Sequence, residues 1–313
     1  MSVQSYAGQS PRHKPREGRS SAQRSESRAA MLMLAPSTAL YVAFIAIPLI
    51  GTLALAFFEW DLLSPPRFVG IDNFVRIGRD STMLMATVNT FVFAIVTVVL
   101  HLIGALLLAI AINRPMNRVV KKLTSAAIFF PVLLSWSAVA LLWRYALDPN
   151  FGFINHYLRE WGFTPPNWFV DAQTALGAII GLDVWHSLGY TMIILLAGLQ
   201  SIQPTLYEAA RIDGAGPLRQ FWSVTVPLLS PTLLFASIIS FIGAFQIFEP
   251  MFIITKGGPD NSTISLVQDV YNTAFRDFSM GYASAKSLIL IVVMLLVTVL
   301  QLKMSKKWVN YDQ

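Results

Sequence analysis

The chain contains no cysteine in its 313 residues. Disulfides, thiolate metal sites and cysteine nucleophiles are therefore excluded. Charge is also scarce. Asp, Glu, Lys and Arg together make up 13% of the residues, against roughly a quarter in a soluble domain. Nucleotide and catalytic motifs are missing as well. No GxxxxGKS/T phosphate loop occurs, so the chain does not hydrolyse ATP by that route. KGGP at residues 256–259 lacks the spacing, and DGAG at 213–216 is not a strand-to-helix turn. Neither HExxH nor GxSxG is found. The four histidines are dispersed, and no metal site is expected. His13 lies near the start and His156 in a polar link. His101 and His186 stand in apolar runs, where buried hydrogen bonding suits them better than metal ligation.

What the chain has instead is apolar length. Hydrophobic residues make up 55%. Residues 29–58 form an uncharged run too long for a signal-peptide core, and they read as an uncleaved first span. Five further runs follow, at 84–112, 123–143 (interrupted at Pro131), 174–200, 227–255 and 280–302. The expected fold class is all-α, a polytopic membrane protein with six spanning helices. Residues 1–28 are rich in Ser, Gln and Arg and cannot bury a core, so they read as a disordered basic tail. Residues 29–313 form the membrane domain.

Charge sets the orientation. Six spans put both ends of the chain on one side. The segments on that side carry 15 Lys and Arg, and the opposite loops carry 7. Acids run the other way, 5 against 10. By the positive-inside rule both termini face the cytoplasm of a multi-pass cell-membrane protein. The net charge of +6 then reflects topology and anionic lipid, with no nucleic-acid partner expected.

One cytoplasmic stretch organises the rest, EAARIDGAGPLRQFWSVTVP at residues 208–227. Pro204 suits a first helical position, and Asp213-Gly214 stops that helix. Pro217 opens a second short helix running to Pro227. Ala209 and Ala210 beside Glu208 leave little side-chain bulk, so another protein surface can approach closely. Glu208, Arg211 and Asp213 supply charges that orient such a partner.

This spacing, Glu208-Ala209-Ala210, then Gly214, then Val224-Thr225-Val226-Pro227, resembles the EAA loop of binding-protein-dependent ABC importer permeases. Val224 stands where that family usually has Ile or Leu. Further resemblance lies in FVGIDNF (68–74), DPNFGFIN (148–155), LAGLQSI (196–202) and FQIFEPMFIITKGGP (245–259). These point to the carbohydrate-uptake branch, of the maltose, glycerol-phosphate and multiple-sugar type, in which Glu249 stands where Asp is frequent. The resemblance implies a type I importer permease fold with a coupling loop at about 201–226. Glu208, Ala209, Ala210, Asp213 and Gly214 would contact the ATPase. It also implies a second permease, an ATP-binding subunit in two copies, an extracytoplasmic solute-binding protein, membrane lipid and a carbohydrate substrate. The chain itself would bind no cofactor, ATP being hydrolysed by the partner.

Polar residues inside the runs are the remaining candidates. Counted as continuous helix from the inner side, Glu249 lies about 33 Å along the fifth run, near the outer surface, and Lys286 about 9 Å into the sixth from outside. Asp183 lies in the outer part of the fourth run. Such charges are costly in lipid and should face protein or water. Lys286 is therefore expected to pair with Asp183 or Glu249. Phe245, Gln246, Phe248 and Glu249, with Asp183 and Lys286, are candidates for the substrate pathway, because aromatic faces and amides suit sugar C–H and hydroxyl groups. Two other classes compete. A secondary transporter would show repeated halves and buried titratable relays. A membrane enzyme acting on lipid-linked sugar would need clustered acids or a metal motif at one face.

The charge count predicts where the C-terminus lies. A fluorescent reporter fused after Gln313 should mature inside the cell, and a phosphatase that works only outside should be inactive there. The opposite pattern would invert the topology.

Overall fold

The computed structural model describes residues 21–310, with side chains from residue 30 onward. The basic residues 1–20 lie outside the described residues. The chain divides into two compact units, residues 1–51 and 52–313. In the first, helix α1 (Ser21–Tyr41) begins ahead of the boundary drawn at residue 29. It passes through a π turn (Val42–Ala46) into the start of α2 (Ile47–Leu55). Ile47 donates to the Val42 carbonyl. The next residue, Pro48, has no N–H, and the wider turn sits directly before it.

The second unit holds the remaining spans. They are α4 (Ser81–Asn113), a bent pair made of α5 (Arg118–Phe129) and α6 (Trp136–Ala146), α8 (Ala172–Ser201), α11 (Val226–Phe245) and α13 (Met280–Ser305). Counting the bent pair as one span gives six, as expected from the sequence. Short elements lie between: a hairpin of β1 (Phe58–Glu59) with β2 (Arg67–Phe68), then α3 (Asp72–Ile77), α7 (Phe153–Glu160), α9 (Pro204–Ile212), α10 (Pro217–Gln220) and α12 (Leu266–Phe275). We call the end carrying α9 and α10 the loop side. The end carrying α3, α7 and α12 is the far side.

The core is a three-helix packing of α4, α8 and α11. Alanines 86, 94, 105 and 109 on α4 are fully buried and let the backbones approach closely. Toward the far side, Phe93 of α4, Ile179 of α8 and Phe245 of α11 fill one cluster. Toward the loop side, Met192, Leu195 and Leu229 fill another. At Gly189 of α8 the backbone of α5 comes so close that a Cβ would overlap the Ile128 carbonyl.

The third span departs most from a straight rod. Its halves meet at 95°, across a 3-10 turn (Phe130–Leu133) that contains Pro131. A sharp bend leaves carbonyls without helical partners, and the Leu134 carbonyl accepts from His186 Nε2 at 3.1 Å.

The fifth span differs from the sequence reading at both ends. Its helix begins at Pro217, since α10 continues through a π turn (Phe221–Thr225) into α11. The second loop helix therefore does not stop at Pro227. At the other end it stops at Phe245, and residues 246–248 leave the helical path before a short turn (Met251–Thr255). The apolar run to Thr255 is not one helix. A continuous helix would drive the Pro250 ring into the Gln246 carbonyl.

The close approach at Gly189 predicts a cost. Gly189→Val should destabilise the detergent-solubilised protein by about 1–3 kcal/mol. Gly177→Val, on an exposed face of the same helix with open space around it, should not. Thermal melts of both variants check this, and equal midpoints would contradict the packing.

Candidate functional site: an exposed loop, an open cavity and a buried charge cluster

The exposed loop is built around Pro204, Pro217 and Gly214. Pro204 and Pro217 occupy first-turn positions of α9 and α10, where a missing N–H costs nothing. Helix α9 ends on Gly214 at φ +78°. The Ala215 N–H donates to the Ala210 carbonyl at 2.8 Å, and the Gly214 N–H to the Arg211 carbonyl at 3.0 Å. This is a Schellman cap, whose left-handed position costs glycine nothing. The Gln220 amide donates to the Ala215 carbonyl at 2.7 Å, and the Tyr207 and Thr225 hydroxyls lie 3.1 Å apart. The two loop helices are thereby tied together. Glu208, Ala209, Asp213 and Gly214 are exposed, and Ala210 is half-buried. Ile212 is 87% exposed and Leu218 72%, apolar surface with no cover in this chain.

The cavity, of about 500 Å³, lies between α4, α6, α8 and the broken end of α11. Helix α8 contributes Asp183, Ser187, Tyr190 and Thr191, and α6 contributes Trp136. The break supplies Gln246, Phe248 and Glu249. Asp183 is only 7% exposed, and its Oδ2 lies 3.5 Å from His101 Nε2. The Trp136 and His186 rings lie 4.1 Å apart at 34°. The wall thus combines aromatic faces, an amide, hydroxyls and two carboxylates. Four of the six pathway candidates meet here: Asp183, Gln246, Phe248 and Glu249. The helical rise had put Glu249 near the outer surface. The break at residues 246–248 invalidates that count and turns Glu249 into the same cavity as Asp183.

The other two candidates lie elsewhere. Phe245 is fully buried against Phe91 and Phe241, with ring centroids at 4.9 and 4.5 Å. Lys286 is 3% exposed on α13 but pairs with neither Asp183 nor Glu249, and that expectation is corrected here. Its Nζ lies 2.7 Å from Asp269 of α12 and 2.9 Å from Asp80 at the start of α4. It also donates to Thr273 Oγ1 at 3.1 Å. Tyr282 donates to Asp80 Oδ2 at 2.7 Å, and the Arg76 guanidinium sits 4.0 Å above the Tyr282 ring. One ammonium thus joins α4, α12 and α13 at the far side. Both partners lie outside the apolar runs, and their order in the chain says nothing of which span end they fold against. Burial pushes the Asp269 carboxyl up, against the hydrogen bond and charge of Lys286. Burial acts in the same direction on Asp80, but hydrogen bonds from the Met83 N–H, Tyr282 and Lys286 outweigh it and bring Asp80 down from 3.8 to about 2.

Apolar spans around a polar cavity, with a capped loop at one end, define the class, a multi-pass membrane transport subunit. The chain belongs to the family of binding-protein-dependent transport system inner membrane components, whose pattern matches residues 82–309. Relatives include the probable ABC transporter permease protein YurN of Bacillus subtilis, 31% identical over 88% of this chain and 95% of that protein. The sulfoquinovosyl glycerol permease protein SmoG of Agrobacterium fabrum is 31% identical over 88% and 89%. The sn-glycerol-3-phosphate permease protein UgpA of Brucella abortus is 32% identical over 90% and 95%. In fold, the chain is similar to a bacterial ABC transporter structure involved in import of the acidic polysaccharide alginate. The TM-score is 0.82 at 23% identity, over 92% of this chain and 99% of that one. Family membership makes the chain a transport subunit, in place of the two competing classes.

The charge cluster gives two expectations. Lys286→Met leaves buried acids uncompensated and should cost about 3–5 kcal/mol. Adding Asp269→Asn should recover part of that, so the double-mutant cycle departs from additivity by at least ~0.5 kcal/mol. Strict additivity would mean independent charges. The stabilising effect of ionised Asp80 should be fully present above pH 3.8 and be lost as pH falls through about 2. Comparing melts of wild type and Asp80→Asn across that window checks the sign.

Proposed function

We infer that this chain is the permease subunit of an ATP-driven carbohydrate importer. It forms part of the translocation pathway with a second permease. It couples to an ATPase dimer through Glu208, Ala209, Ala210, Asp213 and Gly214. Solute arrives from an extracytoplasmic binding protein, and both termini face the cytoplasm. This chain holds no cofactor of its own, and ATP is hydrolysed by the partner subunit. The substrate route on this subunit runs past Asp183, Gln246, Phe248 and Glu249.

The observation that carries this reading is one helix with a function at each end. The helix of residues 217–245 starts in the exposed loop and ends at the break that lines the cavity. The loop exposes the apolar side chains of Ile212 and Leu218 and the charged ones of Glu208, Arg211 and Asp213. That is the pattern of a protein-docking surface, an apolar centre with charges that set orientation. The cavity presents aromatic faces beside hydroxyls, an amide and carboxylates, which suits a polyhydroxylated solute. SmoG and UgpA, by their names, serve sulfoquinovosyl glycerol and sn-glycerol 3-phosphate, and that relationship supports a solute of the sugar or sugar-like class.

The reading is tested at the loop. Gly214→Asp adds a side chain and a charge at φ +78°, with no atom within 4 Å to clash. It should insert normally yet lower solute uptake at least tenfold, about 1.4 kcal/mol or more of lost coupling. Glu208→Lys should act in the same direction. Normal uptake in both variants, with the ATPase still co-purifying from gentle detergent, would defeat the coupling assignment.

A further inference from the structure

We propose that the rings of Phe248, Phe252, Tyr271 and Phe275 form an entry track for an oligosaccharide, leading from the far-side surface into the cavity. The track extends the carbohydrate reading above and rests on it. Two pairs spaced four residues apart build it. Phe248 and Phe252 stack at 4.9 Å and 22°, and the Phe252 N–H donates to the Phe248 carbonyl at 2.9 Å. Tyr271 and Phe275 share a face of α12, 5.2 Å apart. The Tyr271 ring also lies 5.2 Å from both Phe248 and Phe252. Phe248, Tyr271 and Phe275 therefore make a row, with Phe252 packed against the first two, and Phe248, at its inner end, lines the cavity.

Exposure separates this row from core packing. Phe91, Phe241 and Phe245 also form a ring cluster, but Phe241 and Phe245 are at most 7% exposed. None of the four track residues is buried, and Phe275 is 59% exposed. Phe248, Phe252 and Tyr271 are half-buried, so each keeps part of its surface exposed. The support beneath it is rigid. The opposite face of α12 carries Asp269 and Thr273, both held by Lys286. A sugar ring has an apolar C–H face and a polar edge. Aromatic faces at steps of about 5 Å let a saccharide pass from one ring to the next without a deep well at any point. The Arg276 guanidinium, 5.5 Å above the Phe252 ring, adds a donor group beside the row for hydroxyl or carboxylate oxygens. A row of several rings is of use to a solute of two or more sugar units. A single small polyol would need only the cavity.

The test uses the whole importer in its native host, with variants at the chromosomal gene and a deletion strain as baseline. Cells receive mixed partial hydrolysates of starch, cellulose, xylan and chitin, and mass spectrometry follows depletion of each chain length. The expected result is gene-dependent depletion of chains of two or more units. Phe252→Ala and Tyr271→Ala should each slow it roughly tenfold, the effect of uncovering one face of an aromatic ring. The loss should grow with chain length. Phe252→Tyr and Tyr271→Phe should retain most uptake. Phe278→Ala, another exposed far-side aromatic outside the row, should change nothing. Immunoblots of membranes track the level of each variant, and Phe252→Leu and Tyr271→Leu replace any alanine variant that fails to accumulate. Losses independent of chain length, or equal losses in Phe278→Ala as for an interfacial aromatic belt, would overturn the track. Gene-dependent depletion of monosaccharides alone would overturn the track and leave the carbohydrate reading standing. No gene-dependent depletion of any saccharide would remove both.

Discussion

In hydrocarbon, a backbone N–H or carbonyl without a partner costs several kcal/mol, so a spanning chain can leave the straight helix only where something else satisfies those groups. The second unit obeys this at each place where its spans bend or stop. At the 95° bend of the third span, His186 reaches from α8 to the Leu134 carbonyl. Near the far end of α4, Asn89 donates to the Asn261 and Ile264 carbonyls, and Thr90 accepts from the Leu266 N–H. Ahead of Pro227, a π turn re-pairs Val226 with Phe221. Polar residues that look out of place in apolar runs thus hold irregular segments of the fold.

The same constraint explains how much could be read from the chain. The six apolar runs are legible because bilayer thickness sets their length and the cost of charge sets their purity. The end of α9 at Gly214 is legible because only a residue without a Cβ takes φ +78° at no cost, and the cap bonds follow from that. Lys286 is different. A buried ammonium announces that it needs an acid, but Asp80 and Asp269 are distant in sequence and lie outside the apolar runs. Depth along a helix selected Asp183 and Glu249, and the fold brings the far-side loops down onto α13 instead. The break at residues 246–248 was also hidden. Apolar residues flank Gln246 and Glu249 on both sides, so the run reads on to Thr255, and a single proline is tolerated in many spanning helices. Pro250 marks the place only once the Gln246 carbonyl is seen to face its ring in a continuous helix.

The break has a consequence for how the two ends of the subunit communicate. From Pro217 to Phe245 the chain is one helical rod of 29 residues, about 44 Å at the usual rise. A π turn widens it at Phe221–Thr225, and Pro227 and Pro231, which donate no helical hydrogen bond, lie just beyond. Its loop end is tied to α9 by Gln220 and by the Tyr207–Thr225 contact. Its other end stops where Gln246, Phe248 and Glu249 line the cavity. On the proposed coupling, a tilt of the loop reaches the cavity wall through this rod, which packs against α4 and α8 along its length. The joint comes after it, where residues 246–248 leave the helical path. Beyond that joint, α12 is fixed to α4 and α13 by the Lys286 cluster. In the proposed importer, movement of this rod would therefore act on the cavity on one side of residues 246–248, while the Lys286 cluster holds the far-side helices on the other.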